Sequence, residues 1–239
     1  MMPSSGIRKE RGVSLLETLF VLLLLALVAQ GGWTVLARHR VAAANVGARA
    51  EGLETVRTIA WLLPEELSGG LPDEDWWANG PDSLELRAFR GVGLVKRGAG
   101  GDDWVRVCFR GVRSPNPEKD SVLLLGGDGR WKAHGLLRRV RTDEACSGLG
   151  GGWEEDWSLS PEPGDAILGR VFERGSYHLV NGALRYKRGE GGRQPLTPER
   201  VQSGKIVRPE GAATTFSWEV TLTPAVAGAD SSLWRGRVW

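Results

Sequence analysis

The sequence predicts an α+β protein in which one long N-terminal helix packs on a C-terminal, antiparallel β-rich globular domain. Residues 13–37 are largely apolar and contain one charged side chain, Glu17, and apolar residues then recur at helical spacing as far as residue 63. Beyond residue 82, short strand-like segments alternate with turns, and the chain contains 34 glycines. Frequent glycine-rich turns favour a β-rich domain over a helical one.

Length and composition suit one membrane segment and one globular domain of about 170 to 200 residues. The chain has 239 residues, 41% of them hydrophobic and 25% charged, and its formal net charge is +2. Residues 1–12 carry three basic residues and one acidic residue, which leaves 28 of each sign in the remainder. A polyanion binder shows a basic excess, so the composition disfavours nucleic acid as the main partner. The short basic run Arg138, Arg139 and Arg141 is typical of a solvated strand edge.

The first half of the predicted helix is long enough to span a membrane. At 1.5 Å per residue, residues 13–37 cover about 37 Å, and the charged run at 38–40 ends the apolar segment. In the second half, spacings of three and four predict an amphipathic helix. Its apolar face comprises Val46, Ala50, Leu53, Val56, Ala60 and Leu63. Pro64 favours a stop, which places the helix at residues 13–66.

The rest of the chain is predicted to be a linker and a β-rich domain. Residues 67–82 are rich in Gly, Pro, Asp and Asn and form the linker loop, so the domain occupies residues 83–239. Two hairpin turns are predicted, at Asn181 with Gly182 and at Asp128 with Gly129, because such pairs tolerate the positive φ of two-residue turns. The predicted strands are 84–89, 104–112, 122–125, 136–141, 166–172, 177–180, 183–187 and 215–223.

Two acidic stretches lie in predicted loops. Residues 154–156 read Glu-Glu-Asp within a long loop at 146–165, and residues 73–75 read Asp-Glu-Asp; a second long loop covers 188–200. Either stretch could ligate calcium, but neither has the alternating spacing and glycine of an EF-hand loop. Solvated acidic loops are the favoured interpretation, and no metal site is predicted.

The two cysteines, Cys108 and Cys146, are too few for a disulfide scaffold but sufficient for one bridge. In the segment VRVCFRG, alternation places Val105, Val107 and Phe109 on one face and Cys108 beside two arginines, an unusual position for a cysteine that only packs. A bridge would stabilise the fold by about 3 to 4 kcal/mol in the chain-entropy model. Two free thiols are the alternative.

The sequence does not support catalysis, and neither an enzyme activity nor a cofactor is predicted. Its three histidines are His39, His134 and His178; no Gly-x-Ser-x-Gly motif occurs, and no cysteine pair has zinc spacing. The alternation around His178 is typical of a histidine on a strand surface. A cysteine paired with His134 is the remaining candidate nucleophile, and nothing in the pattern favours it.

Glu17 is the unusual residue of the apolar segment. A carboxylate in hydrocarbon costs roughly 2.5 to 3.5 kcal/mol on insertion scales, so a membrane segment keeps one where something compensates it. An ordinary signal peptide would be cut near Gly31, and it explains neither Glu17 nor the helical pattern beyond that cut. A glutamate that snorkels from such a signal peptide is the alternative interpretation.

The N-terminus resembles the class III signal of type IV pilins and type II secretion pseudopilins. RKERG is followed by VSLLETLFVLLLLALVA, which gives a basic leader, a glycine, an apolar residue and a glutamate at the fifth mature position. Gly12 matches the glycine before the cut, Val13 the new N-terminal residue and Glu17 the glutamate. The resemblance implies that a prepilin peptidase removes the cytoplasmic leader, residues 1–12, and methylates the amine of Val13.

A second resemblance lies towards the C-terminus. Residues 177–206, YHLVNGALRYKRGEGGRQPLTPERVQSGKI, are similar to the C-terminal region of PilW-type minor pilins and J-class minor pseudopilins, where a Y-x-L-x-x-G-x-L hairpin precedes a Q-P-L segment. The matching residues are Tyr177, Leu179, Gly182, Leu184, Gln194, Pro195 and Leu196. This resemblance implies a pilin-like fold and a minor component rather than the bulk subunit.

Together the resemblances imply a structural subunit of a type IV pilus or a type II secretion pseudopilus. Its expected partners are the prepilin peptidase, other pilin or pseudopilin subunits and the inner-membrane assembly platform. The precursor would cross the inner membrane once, with its C-terminal domain in the periplasm, and then join a filament that can reach the cell surface. In a bundle of such helices, Glu17 would meet the N-terminal amine of a neighbouring subunit. The alternative is a membrane-tethered or secreted β-domain that binds a ligand and never assembles.

Overall fold

The structure is a computed structural model that describes residues 14–96, 103–146, 152–207, 216–224 and 232–238. These residues form one helix and twelve strands. The elements are α1 (Leu15–Ser68), β1 (Trp76–Ala78), β2 (Ser83–Lys96), β3 (Trp104–Gly111), β4 (Asp120–Gly126), β5 (Trp131–Ala145), β6 (Trp153–Ser160), β7 (Ala166–Val180), β8 (Ala183–Arg188), β9 (Arg193–Pro195), β10 (Val201–Val207), β11 (Phe216–Leu222) and β12 (Ser232–Val238). One long helix followed by antiparallel strands agrees with the predicted α+β class.

The chain divides into two compact units, Met1–Arg49 and Ala50–Trp239. In the first unit, the described residues form the N-terminal part of α1, and the large apolar side chains of that part are exposed. In the second unit, the remainder of α1 packs with strands, and this unit contains two hydrophobic cores.

Helix α1 ends one turn beyond Pro64, so the prediction that Pro64 stops the helix is wrong. A proline removes one helical hydrogen bond, but the neighbouring residues hold the last turn against the strands. Leu63 and Leu67 are buried, and Glu66 binds Arg90 of β2 through both carboxylate oxygens. Tertiary contacts of this turn therefore outweigh the local preference of the proline.

The buried face of α1 differs from the predicted apolar face. Val46, Leu53 and Ala60 of the predicted face are exposed. Gly52 brings the helix close to β11, because a Cβ at this position would stand 3.0 Å from Cδ1 of Leu222. The spacing of large apolar residues did not predict this face, because it includes a glycine, Gly52, and a polar residue, Thr55. The buried residues of the helix are Gly52, Thr55, Ile59, Leu63 and Leu67.

Six strands of the second unit close into an antiparallel barrel. Their order is β2, β3, β6, β5, β4 and β7, and β7 returns to pair with β2 along most of its length. Closure removes the free edges that an open sheet of these strands would leave. We name the paired strands β2 and β7 the seam. Gly93 and Gly169 face each other on this seam, and a Cβ at either would stand within 3.3 Å of the Trp157 ring. The absence of side chains at these two positions therefore lets the indole pack directly against the backbone.

The barrel interior is a hydrophobic core that contains a cluster of aromatic rings. Phe109 makes edge-to-face contacts with Trp153 and Trp157, with ring centroids 5.6 and 5.5 Å apart. These rings, together with aliphatic side chains, fill the interior, as expected of a small barrel. The other buried members are Val105, Val107, Val122, Leu124, Leu136, Leu159, Ala166 and Val171.

The second core lies between α1 and the strands that extend beyond the barrel. There β1 pairs with β2, β8 pairs with β7 and β9, and β10, β11 and β12 form a separate sheet. Strands β2 and β7 thus take part in both cores. The strand residues buried in this second core are Trp76, Leu84, Leu86, Ala88, Tyr177, Leu179, Leu184, Val201, Ile206, Phe216, Trp218, Val220 and Leu222.

Strand β2 has a bulge at Arg90, where it leaves the barrel. Phe89 and Gly91 lie opposite consecutive residues of β7, so the pairing register skips Arg90. A bulge turns the side chain of the extra residue out of the alternating pattern. In this orientation the Arg90 guanidinium reaches Glu66 of α1.

One of the two predicted hairpin turns has the expected form. Asn181 and Gly182 both adopt positive φ, 50° and 77°, between β7 and β8, which confirms the two-residue turn. At Asp128 and Gly129 only the glycine has a positive φ, of 76°. The Gly126 carbonyl accepts the Gly129 N–H, so this connection is a longer loop and the two-residue prediction is wrong.

Most predicted strands are present, but their limits differ. The segments predicted at 166–172 and 177–180 form one continuous strand, β7. The predicted linker at 67–82 contains β1, and the predicted loops at 146–165 and 188–200 contain β6 and β9. Strands β10 and β12 were also not predicted. Main-chain hydrogen bonds hold these strands in their sheets. Such pairing does not require alternating apolar residues, so short or charged segments that form it are not recognised from the sequence pattern.

A disulfide joins Cys108 of β3 to Cys146, 38 residues apart in sequence. Strand β6 lies between β3 and β5 in the barrel, so the bond connects the end of β5 to β3 across β6. In the chain-entropy model, closing a loop of this length stabilises the fold by about 3 to 4 kcal/mol.

Gly91→Ala should destabilise the barrel, because the new Cβ would stand 2.4 Å from Cζ of Phe109 and 2.7 Å from the Arg110 carbonyl oxygen. Overpacking of this kind costs about 1 to 3 kcal/mol. Gly135→Ala is the matched control, since its Cβ would stand 3.7 Å from its nearest neighbour, the Ser160 carbonyl oxygen. Thermal unfolding of the full chain in detergent compares the variants, and equal midpoints would contradict the close packing of Phe109.

Candidate functional site

Glu17 is the one charged residue in the apolar segment 13–37. It lies in the first turn of α1, where the helix dipole favours a negative charge. Its side chain is exposed and has no hydrogen-bond or ion-pair partner among the residues that the structure describes. Phe20 and Val21, one turn away, are exposed as well. The start of α1 therefore presents one unpaired carboxylate on an apolar surface.

Helix α1 is long and apolar enough to cross a membrane. None of its most apolar 18-residue window is buried, which distinguishes it from the core helix of a globular domain. A cleavable signal sequence would meet the same requirements of length and composition. The residues that would distinguish the two cases, Gly12 and Val13, lie outside the described residues with the rest of the predicted leader at 1–12.

The barrel encloses a fully buried carboxylate, Glu155 of β6. Arg139 of β5 and the indole N–H of Trp153 both donate to its Oε1, each at 2.7 Å. The indole N–H of Trp157 donates to its Oε2, also at 2.7 Å. Three donors, one of them cationic, therefore compensate the desolvation of this carboxylate.

The prediction of a solvated acidic loop at residues 154–156 is wrong. These residues lie in β6, and each carboxylate has a cationic partner on another strand of the barrel. The pairs are Lys96 with Glu154, Arg139 with Glu155 and Arg106 with Asp156. The prediction that Arg139 lies on a solvated edge is wrong for the same reason. Alternation of Trp153, Glu155, Trp157 and Leu159 was the signal that could have predicted this strand.

The other acidic stretch, residues 73–75, is also partly structural. Asp75 is buried, where it accepts hydrogen bonds from Arg87 at 3.1 Å and from the Leu71 N–H at 2.9 Å. These bonds fix the turn that leads from α1 into β1. Across the described part of the chain, no three or more His, Cys, Asp or Glu side chains are grouped in a way that could hold a metal ion.

A second set of charges lies where β2 and β7 leave the barrel, and we name it the junction cluster. Arg90, at the bulge of β2, binds the two carboxylate oxygens of Glu66 at 2.9 and 3.1 Å. This pair connects the last turn of α1 to the barrel. The cluster comprises Glu66, Arg90, Arg113, Asp120, Glu173 and Tyr186.

The remaining contacts of the junction cluster centre on Arg113. Its guanidinium binds both carboxylate oxygens of Asp120, and it binds Glu173 of β7 at 3.0 Å. The hydroxyl of Tyr186 donates to the other oxygen of Glu173 at 2.7 Å. Hydrogen bonds to Asp120 chiefly raise the pKa of Arg113, although the nearby charge of Arg90 acts in the opposite direction. The cluster therefore joins strands of both cores through ion pairs.

The two tyrosines of the chain lie at this cluster, Tyr177 buried and Tyr186 partly buried. Burial, together with the negative charge of Glu66, raises the pKa of Tyr177 above its ordinary value. Burial also raises the pKa of Tyr186, and its hydrogen bond to Glu173 adds to the effect. Each phenol is therefore held in its neutral form by the fold.

Two histidines and the cysteines occupy structural positions. His134 is buried in β5, with Nδ1 2.7 Å from a main-chain carbonyl oxygen. His178 lies in β7 with Nε2 2.9 Å from Oγ of Ser176, and burial lowers its pKa. Both cysteines are disulfide-bonded, so neither is free to form the nucleophile pair considered for His134.

Comparison of this chain with protein-family models, with curated proteins and with solved structures found no match.

Glu155→Gln should destabilise the protein by roughly 3 kcal/mol, because it removes the counter-ion of Arg139 and leaves two indole donors with one acceptor oxygen. Asp156→Asn is the matched control; it breaks a pair with Arg106, whose side chain is 37% exposed, and should cost clearly less. Chemical unfolding of the full chain in detergent measures both changes. Equal losses would mean that the enclosed carboxylate has no special role.

Alkaline titration should show no tyrosinate signal until the protein unfolds. Because the fold raises both tyrosine pKa values, the folded protein keeps two protons that the unfolded chain releases near pH 10. The stabilisation is complete below that pH and is lost as the pH rises above it. Difference absorbance at the tyrosinate band, followed with circular dichroism, tests this, with the chain in denaturant as the control. Ionisation of either tyrosine in the folded state would contradict the burial described.

Proposed function

We propose that this chain is a minor pilin or pseudopilin, a structural subunit that joins a filament through the N-terminal part of α1. The observation that carries the proposal is Glu17, an unpaired carboxylate at the start of an exposed apolar helix. A basic leader and Gly12 precede it in the sequence. Cleavage after Gly12 would create an amine at Val13, and the protein would act by assembling rather than by catalysis.

A charge in an apolar layer requires a partner of opposite sign. Left unpaired, a carboxylate in hydrocarbon is penalised by roughly 2.5 to 3.5 kcal/mol, and an amine there carries a similar penalty. When helices associate with the correct stagger, Glu17 of one chain meets the amine of the next, and both penalties fall together. Other staggers leave both charges unpaired, so Glu17 would act on the register of assembly as well as on its strength.

The apolar surface of α1 also favours assembly. Large side chains such as Leu19, Leu23 and Trp33 are more than half exposed. Lipid covers such a surface in a membrane, but a helix that leaves the membrane needs other apolar helices around it. A bundle of like helices supplies that cover, because each presents the same kind of surface.

The second unit suits a compartment outside the cytoplasm. Its disulfide between Cys108 and Cys146 is typical of proteins in oxidising compartments such as the periplasm. We therefore assign the β-rich domain to the periplasmic side of the inner membrane in the precursor. In the filament this domain would contact other minor subunits or cargo.

Co-expression with a prepilin peptidase should remove residues 1–12 and leave an N-methylated Val13. Intact-mass spectrometry and sequencing of the N-terminal peptide measure the product. Gly12→Leu should block cleavage, whereas Gly31→Leu, in the apolar helix, should leave the product unchanged. A chain cut near Gly31, or one never cut, would contradict the proposal and favour a secreted or tethered β-domain.

Glu17→Ala should reduce incorporation into filaments by at least about tenfold, equivalent to ~1.4 kcal/mol, because the amine of a neighbouring chain loses its counter-ion. Glu54→Ala is the matched control, since Glu54 is an exposed carboxylate on the same helix beyond its apolar half. Quantitative immunoblots of sheared filaments, normalised to the membrane fraction, compare the two variants in cells with an assembly system. Equal incorporation of the Glu17 variant and the unmodified chain would overturn the electrostatic role.

A further inference from the structure

A cavity of about 260 Å³ lies beside the junction cluster, within the second unit. It opens where β7 passes from the barrel to the second core and is bounded by the β8–β9 turn. Its charged lining consists of four cations and one carboxylate. These residues are Arg90, Arg113, Lys119, Arg188 and Glu173. We name this space the junction cavity.

Every carboxylate oxygen at the junction cavity already has a donor. Both oxygens of Glu66 accept from Arg90, and both oxygens of Asp120 accept from Arg113. One oxygen of Glu173 accepts from Arg113 and the other from the Tyr186 hydroxyl. The carboxylates of these three side chains are therefore engaged by donors within the cluster itself.

Donors, by contrast, remain available. The side chains of Lys119 and Arg188 have no hydrogen-bond or ion-pair partner among the described residues, and both line the cavity. Arg188 is exposed and Lys119 is half-buried. Arg90 and Arg113 are paired with carboxylates of the junction cluster, whereas the charges of Lys119 and Arg188 have no paired anion among the described residues. A ligand that relieves this imbalance must carry negative oxygens.

We propose that the junction cavity binds an oxyanion, either a carboxylate or a phosphate group, between the side chains of Lys119 and Arg188. A guanidinium binds two oxygens of such a group in one plane, and an ammonium adds a third contact from another direction. The volume of about 260 Å³ admits the group together with part of the molecule that carries it. None of the lining residues belongs to the apolar N-terminal part of α1, so the site does not rest on the proposed assembly.

Calorimetric titration of the full chain in uncharged detergent tests the site with two probes, inorganic phosphate and the peptide acetyl-Asp-Glu-amide. We expect the unmodified chain to bind at least one probe, and Lys119→Ala/Arg188→Ala to weaken that binding by about tenfold or more. Arg138→Ala/Lys205→Ala is the matched control, because it removes the same charge from exposed residues away from the cavity. That control should bind within about twofold of the unmodified chain, since distant surface charges are screened.

The two probes separate the two sources of an oxyanion. Tighter binding of phosphate indicates a phosphate-bearing ligand, and tighter binding of the peptide indicates an acidic segment of a protein. Neither Lys119 nor Arg188 supports another described side chain, so the variant should keep the thermal midpoint of the unmodified chain, which serves as the folding check. Lys119→Gln/Arg188→Gln repeats the test with polar replacements. Failure of both probes to bind the unmodified chain, or equal loss in the cavity and control variants, would overturn the site.

Discussion

The pairing of β2 with β7 is the interaction on which the rest of the second unit depends. One part of this seam closes the six-strand barrel, and the other part forms the floor on which α1 packs. Gly93 and Gly169 face each other on the seam, so the Trp157 ring can lie against the backbone of both strands. The bulge at Arg90 lies between the two cores, and there the Arg90 guanidinium binds Glu66 of α1. Loss of this pairing would open the barrel and remove the support of α1 together.

Two buried carboxylates of the second unit show how the fold compensates an enclosed charge. The buried carboxylates of Glu155 and Glu173 each have a cationic partner and further hydrogen-bond donors, as burial of a charge requires. In the described part of the first unit, Glu17 differs, because it is unpaired on an apolar helix. In the proposed function, Glu155 and Glu173 are compensated within their own unit, whereas Glu17 would be compensated by a neighbouring chain.

The sequence predicted the helix, the α+β class and several strands, because those features depend on local composition and periodicity. It did not predict the closed barrel, since closure depends on which strands meet in space rather than on any one segment. The acidic stretch at 154–156 has the composition of a solvated loop, and the cationic partners that place it in a strand are distant in sequence; Arg106, for example, lies 50 residues from Asp156. The burial of Gly52 on α1 was not predicted for a related reason. Hydrophobic periodicity carries no information about the close approach of Leu222 from another segment. The junction cavity likewise combines residues from several segments.

After cleavage, the amine of Val13 would lie about one helical turn from Glu17 of the same chain, which makes an intrachain pair the alternative to the proposed pair. We propose that Glu17 instead meets the amine of a neighbouring chain. Solid-state NMR on assembled filaments separates the two cases. Half of the chains would carry ¹³C at the glutamate carboxyl carbon and the other half ¹⁵N in valine, with the amine of Val13 recognised by its chemical shift. We expect dipolar coupling between the two labels, from a nitrogen-to-oxygen distance of roughly 4 Å or less. Coupling seen only when both labels are on the same chain, and absent from the mixture, would contradict an interchain pair.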